Sequence, residues 1–250
     1  MNDFVKKYWK TILFFALAGF IGGFFTGLYL LDSYPEEIRV QLADQGINRF
    51  LLGVITAVQS AGYGLVLGTA GILLGKNTGL WKDERKLDKK PLFWTGIIAV
   101  LSGMFIILPD LLFFGNHSEV IRESYAVKPS VPYILASVIY GGVIEEVMLR
   151  LFAMSLVAFL LQKLFRKKTA TTGVLITANV IAALLFAAGH LPATAALMGI
   201  TPMILIRCFL LNGGFGLLFG WLYRKYGLRY AMLAHGGCHI VSKLIWVLFV

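Results

Sequence analysis

Charge is scarce in this sequence. Only 14% of its 250 residues are Asp, Glu, Lys or Arg, against about 25% in ordinary soluble domains, which excludes a typical soluble enzyme. Acidic residues number 13. Cysteines number two, Cys208 and Cys238, and both fall in apolar stretches. They suggest neither a disulfide framework nor a Cys-based zinc site, and they leave the redox compartment unmarked. There is no internal repeat, low-complexity tract or linker that would divide two soluble domains, so a single membrane domain is the economical organisation.

What the chain has instead is apolar length. Hydrophobic residues make up 58%, and they come in runs long enough to cross a hydrocarbon layer of about 30 Å as helix. Seven segments can be drawn: 11–31, 50–75, 91–115, 131–162, 170–191, 203–223 and 230–250. The pattern predicts an all-α, polytopic transmembrane helical bundle with about seven to eight membrane helices. The first segment follows Lys6, Lys7 and Lys10 but exceeds the about 7 to 15 residues of a signal-peptide core, and it reads as a retained helix.

The formal charge of +10 would make nucleic acid a candidate partner of a soluble protein, but here it has a topological explanation. Sixteen Lys and Arg lie in the N-terminal tail and the connections 76–90, 163–169 and 224–229, against four in the alternate connections. That alternation fits seven spans with the N-terminus cytoplasmic and the C-terminus on the far side. It accounts for most of the charge without any nucleic acid. Two segments strain the scheme. The 32 residues of 131–162 exceed one simple crossing, so a tilted helix, a kink or a hairpin are all open. The stretch 192–202, bounded by Pro192 and Pro202, is open to a re-entrant reading, and an eighth crossing would upset the charge count.

An ionisable residue inside a span costs a few kcal/mol or more, and is a functional candidate by default. Asp110, Arg207 and Lys243 lie near segment ends and read as interfacial or structural. The run Gly142-Val143-Ile144-Glu145-Glu146-Val147-Met148-Leu149-Arg150 differs, because it sets three charges deep in an apolar segment. Glu146 and Arg150, four apart, share a helix face and can pair. Glu145 is turned about 100° away and left without that partner, as a general acid or base would be. Three of the four histidines, His190, His235 and His239, also sit in apolar segments. His235 and His239 are four apart, a spacing that can present two imidazole nitrogens to one metal ion or one substrate oxygen. Carboxylates and imidazoles together point to a hydrolytic site within the bilayer.

At these residues the chain resembles the CPBP intramembrane proteases, which comprise the type 2 CAAX prenyl endopeptidases and bacterial relatives linked to bacteriocin processing or immunity. Glu145, Glu146 and Arg150 match that family's Glu-Glu-x-x-x-Arg helix, Phe186 and His190 its Phe-x-x-x-His helix, and His235 the start of its last motif. Gly216 to Gly227 looks like its glycine-containing helix and basic turn. The likeness covers about residues 131–249, which would form the catalytic core, with residues 1–130 contributing N-terminal transmembrane helices only. One position departs, since His239 stands where the family commonly has Asn.

The resemblance implies an intramembrane endopeptidase acting on a membrane-associated peptide or protein, prenylated or not, in contact with the lipid bilayer. In one version Glu145 and His190 activate water, His235 and His239 stabilise the oxyanion, and Glu146 with Arg150 support them. In the other, Glu145, His190, His235 and His239 bind a single divalent metal, zinc most naturally. So the cofactor is either none or one zinc ion. A bacterial cell membrane is the expected location, and the sequence carries no signal for an oligomeric state. A non-catalytic immunity or binding protein and an ion-coupled transporter are the competing classes. The depths conflict: by the segment boundaries His190 ends its helix at the outer face while His235 begins its helix at the inner one, so a single site requires one boundary to move.

Overall fold

A computed structural model describes residues 3–83 and 86–250. Among these residues there is no strand. The chain forms α1 (Asp3–Ser33), α2 (Glu36–Asp44), α3 (Arg49–Thr78), α4 (Lys89–His117), α5 (Glu119–Ser124), α6 (131–164), α7 (Thr172–Met198), α8 (Pro202–Tyr226) and α9 (Leu228–Phe249). Helices α1, α3, α4, α7, α8 and α9 are each long and apolar enough to cross a membrane. Helix α6 adds a further, unbroken helical run, so the protein is an all-helical integral membrane bundle.

Local chemistry sets the ends of these helices. Asn48, Ser130, Thr171 and Thr201 each accept a hydrogen bond from a backbone N–H in the first turn of the helix that follows, satisfying donors that would otherwise be orphaned. Gly79 ends α3 with φ of +76°, a left-handed stop that glycine adopts without strain. Small residues set the spacing inside lipid, where no hydrophobic force drives helices together. A Cβ at Gly64 would stand 2.5 Å from the Phe15 carbonyl, and one at Gly23 would stand 2.5 Å from Ser60 Oγ, so α1 and α3 touch backbone to backbone. Gly142 of α6 meets Gly236 of α9 in the same way, a Cβ there lying 2.8 Å from Gly236 Cα.

Segment 131–162 is neither a hairpin nor two elements. It is one helix running to residue 164, with widened π-type turns over Ser137–Glu145 and Val147–Met154. Such turns are rare and gather at functional sites. Segment 170–191 is corrected too. Helix α7 breaks at His190, whose N–H bonds to the Ala187 carbonyl, and resumes from Leu191 to Met198 with Pro192 in the first turn of the resumed stretch, where its missing N–H costs little. His190 therefore sits at this break rather than at the end of the helical run, and residues 192–198 are helical, followed by a short turn at Gly199.

The basic connections gather at one end of the bundle. Lys7 donates to Asp83 at 2.7 Å, Lys82 to the Lys225 carbonyl at 2.5 Å, and Arg229 to the Lys86 carbonyl at 3.3 Å. Arg85, counted with them, lies outside the described residues. At the other end Arg49 pairs with Asp32 at 2.7 Å, and Lys128 donates to the Val247 carbonyl at 3.1 Å. Near that end Asp110 and Arg207 form a bidentate pair, with distances of 2.6 and 2.5 Å. Tyr125 donates to the same carboxylate at 2.7 Å. Asp110, expected at the interface, is 1% exposed, and its pairing is what permits that burial.

Candidate active site

Helices α6, α7, α8 and α9 bring the three motifs together. His235 is the hub. Its Nδ1 donates to Glu146 Oε1 at 2.9 Å, and its Nε2 lies 3.8 Å from Glu145 Oε2. Sequence spacing alone sets Glu145 and Glu146 on different faces of a regular helix, yet both carboxylates reach the same imidazole. The widened turn that ends at Glu145 lowers the rotation between successive residues and narrows the angle between the two side chains. Glu146 is wholly buried, whereas the Glu145 side chain keeps 21% of its surface. The outer carboxylate is thus the one accessible to water.

Arg150 approaches Glu146 as expected, with Nη1 3.4 Å from Oε1 and both side chains buried. The contact is an ion pair without hydrogen-bond geometry: neither Nη atom has a hydrogen-bond partner, and neither has Glu146 Oε2. The guanidinium is held instead by aromatic faces. It lies 4.6 Å from the centroid of Phe186 and 5.7 Å from that of Phe219, an arrangement that stabilises a cation by about 0.5 to 2 kcal/mol per ring. Phe219 also stacks on His235, with centroids 4.7 Å apart and planes at 21°. Phe186 meets the edges of His190 at 4.7 Å and of His235 at 5.8 Å. Two phenylalanines thus wall the charged pair from lipid and fix the imidazoles.

His190 donates through Nδ1 to the Phe186 carbonyl at 2.8 Å. In the neutral ring this bond leaves the Nε2 lone pair free to accept a proton. His239 stacks beside His235 at 5.0 Å, and its Nδ1 has no hydrogen-bond partner. Opposite both rings is Gly141, where a Cβ would lie 3.0 Å from His239 Nε2 and 3.7 Å from His235 Nε2. Only a glycine leaves both nitrogens clear.

Phe219 and Gly141 carry roles that sequence reasoning missed. The Phe215-Gly216 and Phe219-Gly220 repeat was the signal for the first, since glycines beside an aromatic bring its helix into close contact with a neighbour. Gly141 carried no signal beyond lying four residues before Glu145.

Geometry also tests the metal-binding set. Among the described residues, the trio of His, Cys, Asp or Glu whose donor atoms all lie within 4.8 Å of one another is His235, Cys238 and His239. Glu145 and His190 stand outside it, so the four residues read as a zinc site do not all gather within that span, whereas Cys238, discounted earlier, does join the two histidines. The donor set does not fit the expected metal.

Residues 127–241 match the Rce1-like family of type II CAAX prenyl endopeptidases. This Rce1-like region spans α6 to α9 and contains every residue of the site, from Gly141 to His239. At the family level it supports CAAX-type intramembrane protease activity and a membrane-associated substrate. No curated protein and no solved structure matches the chain.

Proposed function

We propose that the protein is an intramembrane endopeptidase that hydrolyses a peptide bond with a glutamate-activated water and no metal, and that residues 131–249 are its catalytic core. One observation carries this reading: both glutamates of the Rce1-like region converge on the two nitrogens of His235. A buried carboxylate that fixes one ring nitrogen and an accessible carboxylate beside the other is an arrangement suited to proton transfer.

In this reading Glu145, the accessible carboxylate, takes the proton from water, with the His190 Nε2 lone pair orienting that water. Attack on the scissile carbonyl places negative charge on its oxygen. His235, held by Glu146 at Nδ1, turns its Nε2 edge toward the oxyanion, and His239 lies beside it. Glu145 then returns its proton to the leaving amine. Glu146 and Arg150 position His235 without touching substrate. Gly141 lets α6 pack close against both imidazoles and so holds them in place. The clustering of basic connections at one end supports a cytoplasmic N-terminus.

The test is cleavage of prenylated and unprenylated CAAX-type peptides by purified protein in detergent. Glu145→Gln is expected to lower kcat by about 10² to 10⁴ while the protein elutes as the wild type does. Phenanthroline is expected to leave the wild-type rate unchanged. Retention of cleavage in the Gln variant, or its loss to the chelator, overturns the mechanism.

A further inference from the structure

A cleft lies away from the catalytic residues. About 620 Å³ in volume, it opens at the basic end of the bundle, between the start of α4, the end of α8 and the first turn of α9. Its cationic lining is Lys82, Lys90 and Lys225, and the one carboxylate among its lining residues is Asp88. Aromatic groups form its walls. Trp221 and Tyr226 meet edge to face at 5.5 Å, and Lys225 Nζ lies 5.1 and 5.4 Å from their centroids. Two further contacts hold the cleft in shape: Lys82 donates to the Lys225 carbonyl, and the Asp88 N–H donates to Tyr230 Oη at 2.8 Å.

An excess of two positive charges in a preformed cleft suits an anion. What lies beside the cleft identifies its kind. Trp94 lines it and is 40% exposed, and the neighbouring Leu92 and Phe93 of α4 are 43% and 64% exposed. A soluble anion would gain nothing from that apolar flank, whereas a lipid would place its phosphate among the lysines and its acyl chains along α4. Tryptophans at this level are the side chains that favour the membrane–water interface, and basic pockets between membrane helices take up lipid head groups.

We propose that this cleft binds the phosphate-bearing head group of an anionic phospholipid. The site is independent of the proteolytic reading. Its occupant bridges α4 to the α8–α9 turn, and α9 carries His235 two turns further on.

The probe is phosphatidylglycerol. Full-length protein in detergent is titrated with phosphatidylglycerol or phosphatidylcholine and the retained lipid counted by native mass spectrometry. The wild type is expected to retain phosphatidylglycerol in preference. A Lys82→Gln/Lys90→Gln/Lys225→Gln variant is expected to lose about tenfold or more of that retention, with an unchanged elution volume and helical circular dichroism. A Lys163→Gln/Lys167→Gln/Lys168→Gln variant removes equal charge elsewhere and is expected to bind as the wild type. Glycerol phosphate at millimolar concentration is expected not to displace the lipid. Equal retention by wild type and cleft variant, equal loss in the charge control, or displacement by glycerol phosphate overturns the proposal. Single Lys→Gln variants replace the triple if it misfolds, each with a smaller loss expected.

Discussion

The Glu146–Arg150 pair offers the sharpest separation of folding from chemistry. Both side chains are buried, at 0% and 1% exposure. Replacing Glu146 by Gln removes the counter-charge of a guanidinium whose two Nη atoms have no hydrogen-bond partner, and breaking one half of such a pair costs about 3 to 5 kcal/mol. Arg150→Met leaves the carboxylate with His235 Nδ1 as its one partner and is expected to cost up to a similar amount. Were the two effects independent they would sum to as much as about 6 to 10 kcal/mol, whereas removing both charges together from an apolar setting is close to neutral. The Glu146→Gln/Arg150→Met double variant is therefore expected to be at least as stable as either single variant. Its activity is expected to stay low, because the amide no longer accepts as a carboxylate from His235 Nδ1. Glu145→Gln is the counterpart, expected to leave stability within about 0.5 kcal/mol, since that side chain is accessible and its nearest basic atom is 3.8 Å away. Thermal unfolding in detergent, followed by helical circular dichroism alongside peptide cleavage, reads both quantities. Additive destabilisation in the double variant, or destabilisation by Glu145→Gln as large as that by Glu146→Gln, refutes the reasoning.

Other consequences can be checked with the same assays. Gly141→Ala puts a methyl group 3.0 Å from His239 Nε2 and is expected to lower kcat/KM by about tenfold to a hundredfold through displacement of the imidazoles, with little change in melting temperature. Asp110→Asn leaves Arg207 without its bidentate partner and is expected to lower stability by about 2 to 4 kcal/mol, with per-molecule cleavage preserved below the transition. Cys238→Ala is expected to leave cleavage and its insensitivity to phenanthroline unchanged, and zinc-dependent activity lost with that thiol would count against the metal-free reading. The hydrogen bond from Lys7 holds the Asp83 carboxyl down at about 2, from an ordinary 3.8. A depressed folded value stabilises above the unfolded one, so the tie between the α1 end and the 79–88 connection is present above about pH 4 and weakens as pH falls toward 2. Proteolytic nicking of that connection should rise over this window in the wild type and be constant in Asp83→Asn, the effect being small because the pair is exposed.

Much of this was legible in the sequence. Apolar run length gave the membrane helices, because a span has to satisfy its backbone within itself, and Lys/Arg asymmetry gave the shared basic end. The residues Glu145, Glu146, Arg150, His190, His235 and His239 stood out because charge in an apolar run is costly. Less legible was what depends on register. The segment 170–191 ends close to where the regular helix breaks at His190, but the further helical turns to Met198 were not legible, because Pro192 stands in the first turn of the resumed stretch. That Glu145 and Glu146 meet at one ring was hidden because a regular helix turns them apart. The aromatic walls around Arg150 escaped notice because phenylalanine in a membrane helix attracts no attention.

The widened turns of α6 alter the phase of the helix as well as the angle between two glutamates. Each residue in excess of the regular repeat advances everything after it by about 100°, so the stripe of α6 before Glu145 and the stripe after it point to different neighbours. The first stripe meets α1 and α9 through Tyr140 and Gly142, and the second meets α3 through Leu151. One helix therefore serves as the hinge pin of two separate packing layers, with the carboxylates at the change of phase. Deleting a single residue between 137 and 144 would move α6 toward a regular repeat, keep its composition and its length to within one turn, and swing the part after Glu145 out of register with α3. Insertions and deletions in this stretch should accordingly be tolerated less well than substitutions at positions other than Gly141 and Gly142, where a side chain would meet α9.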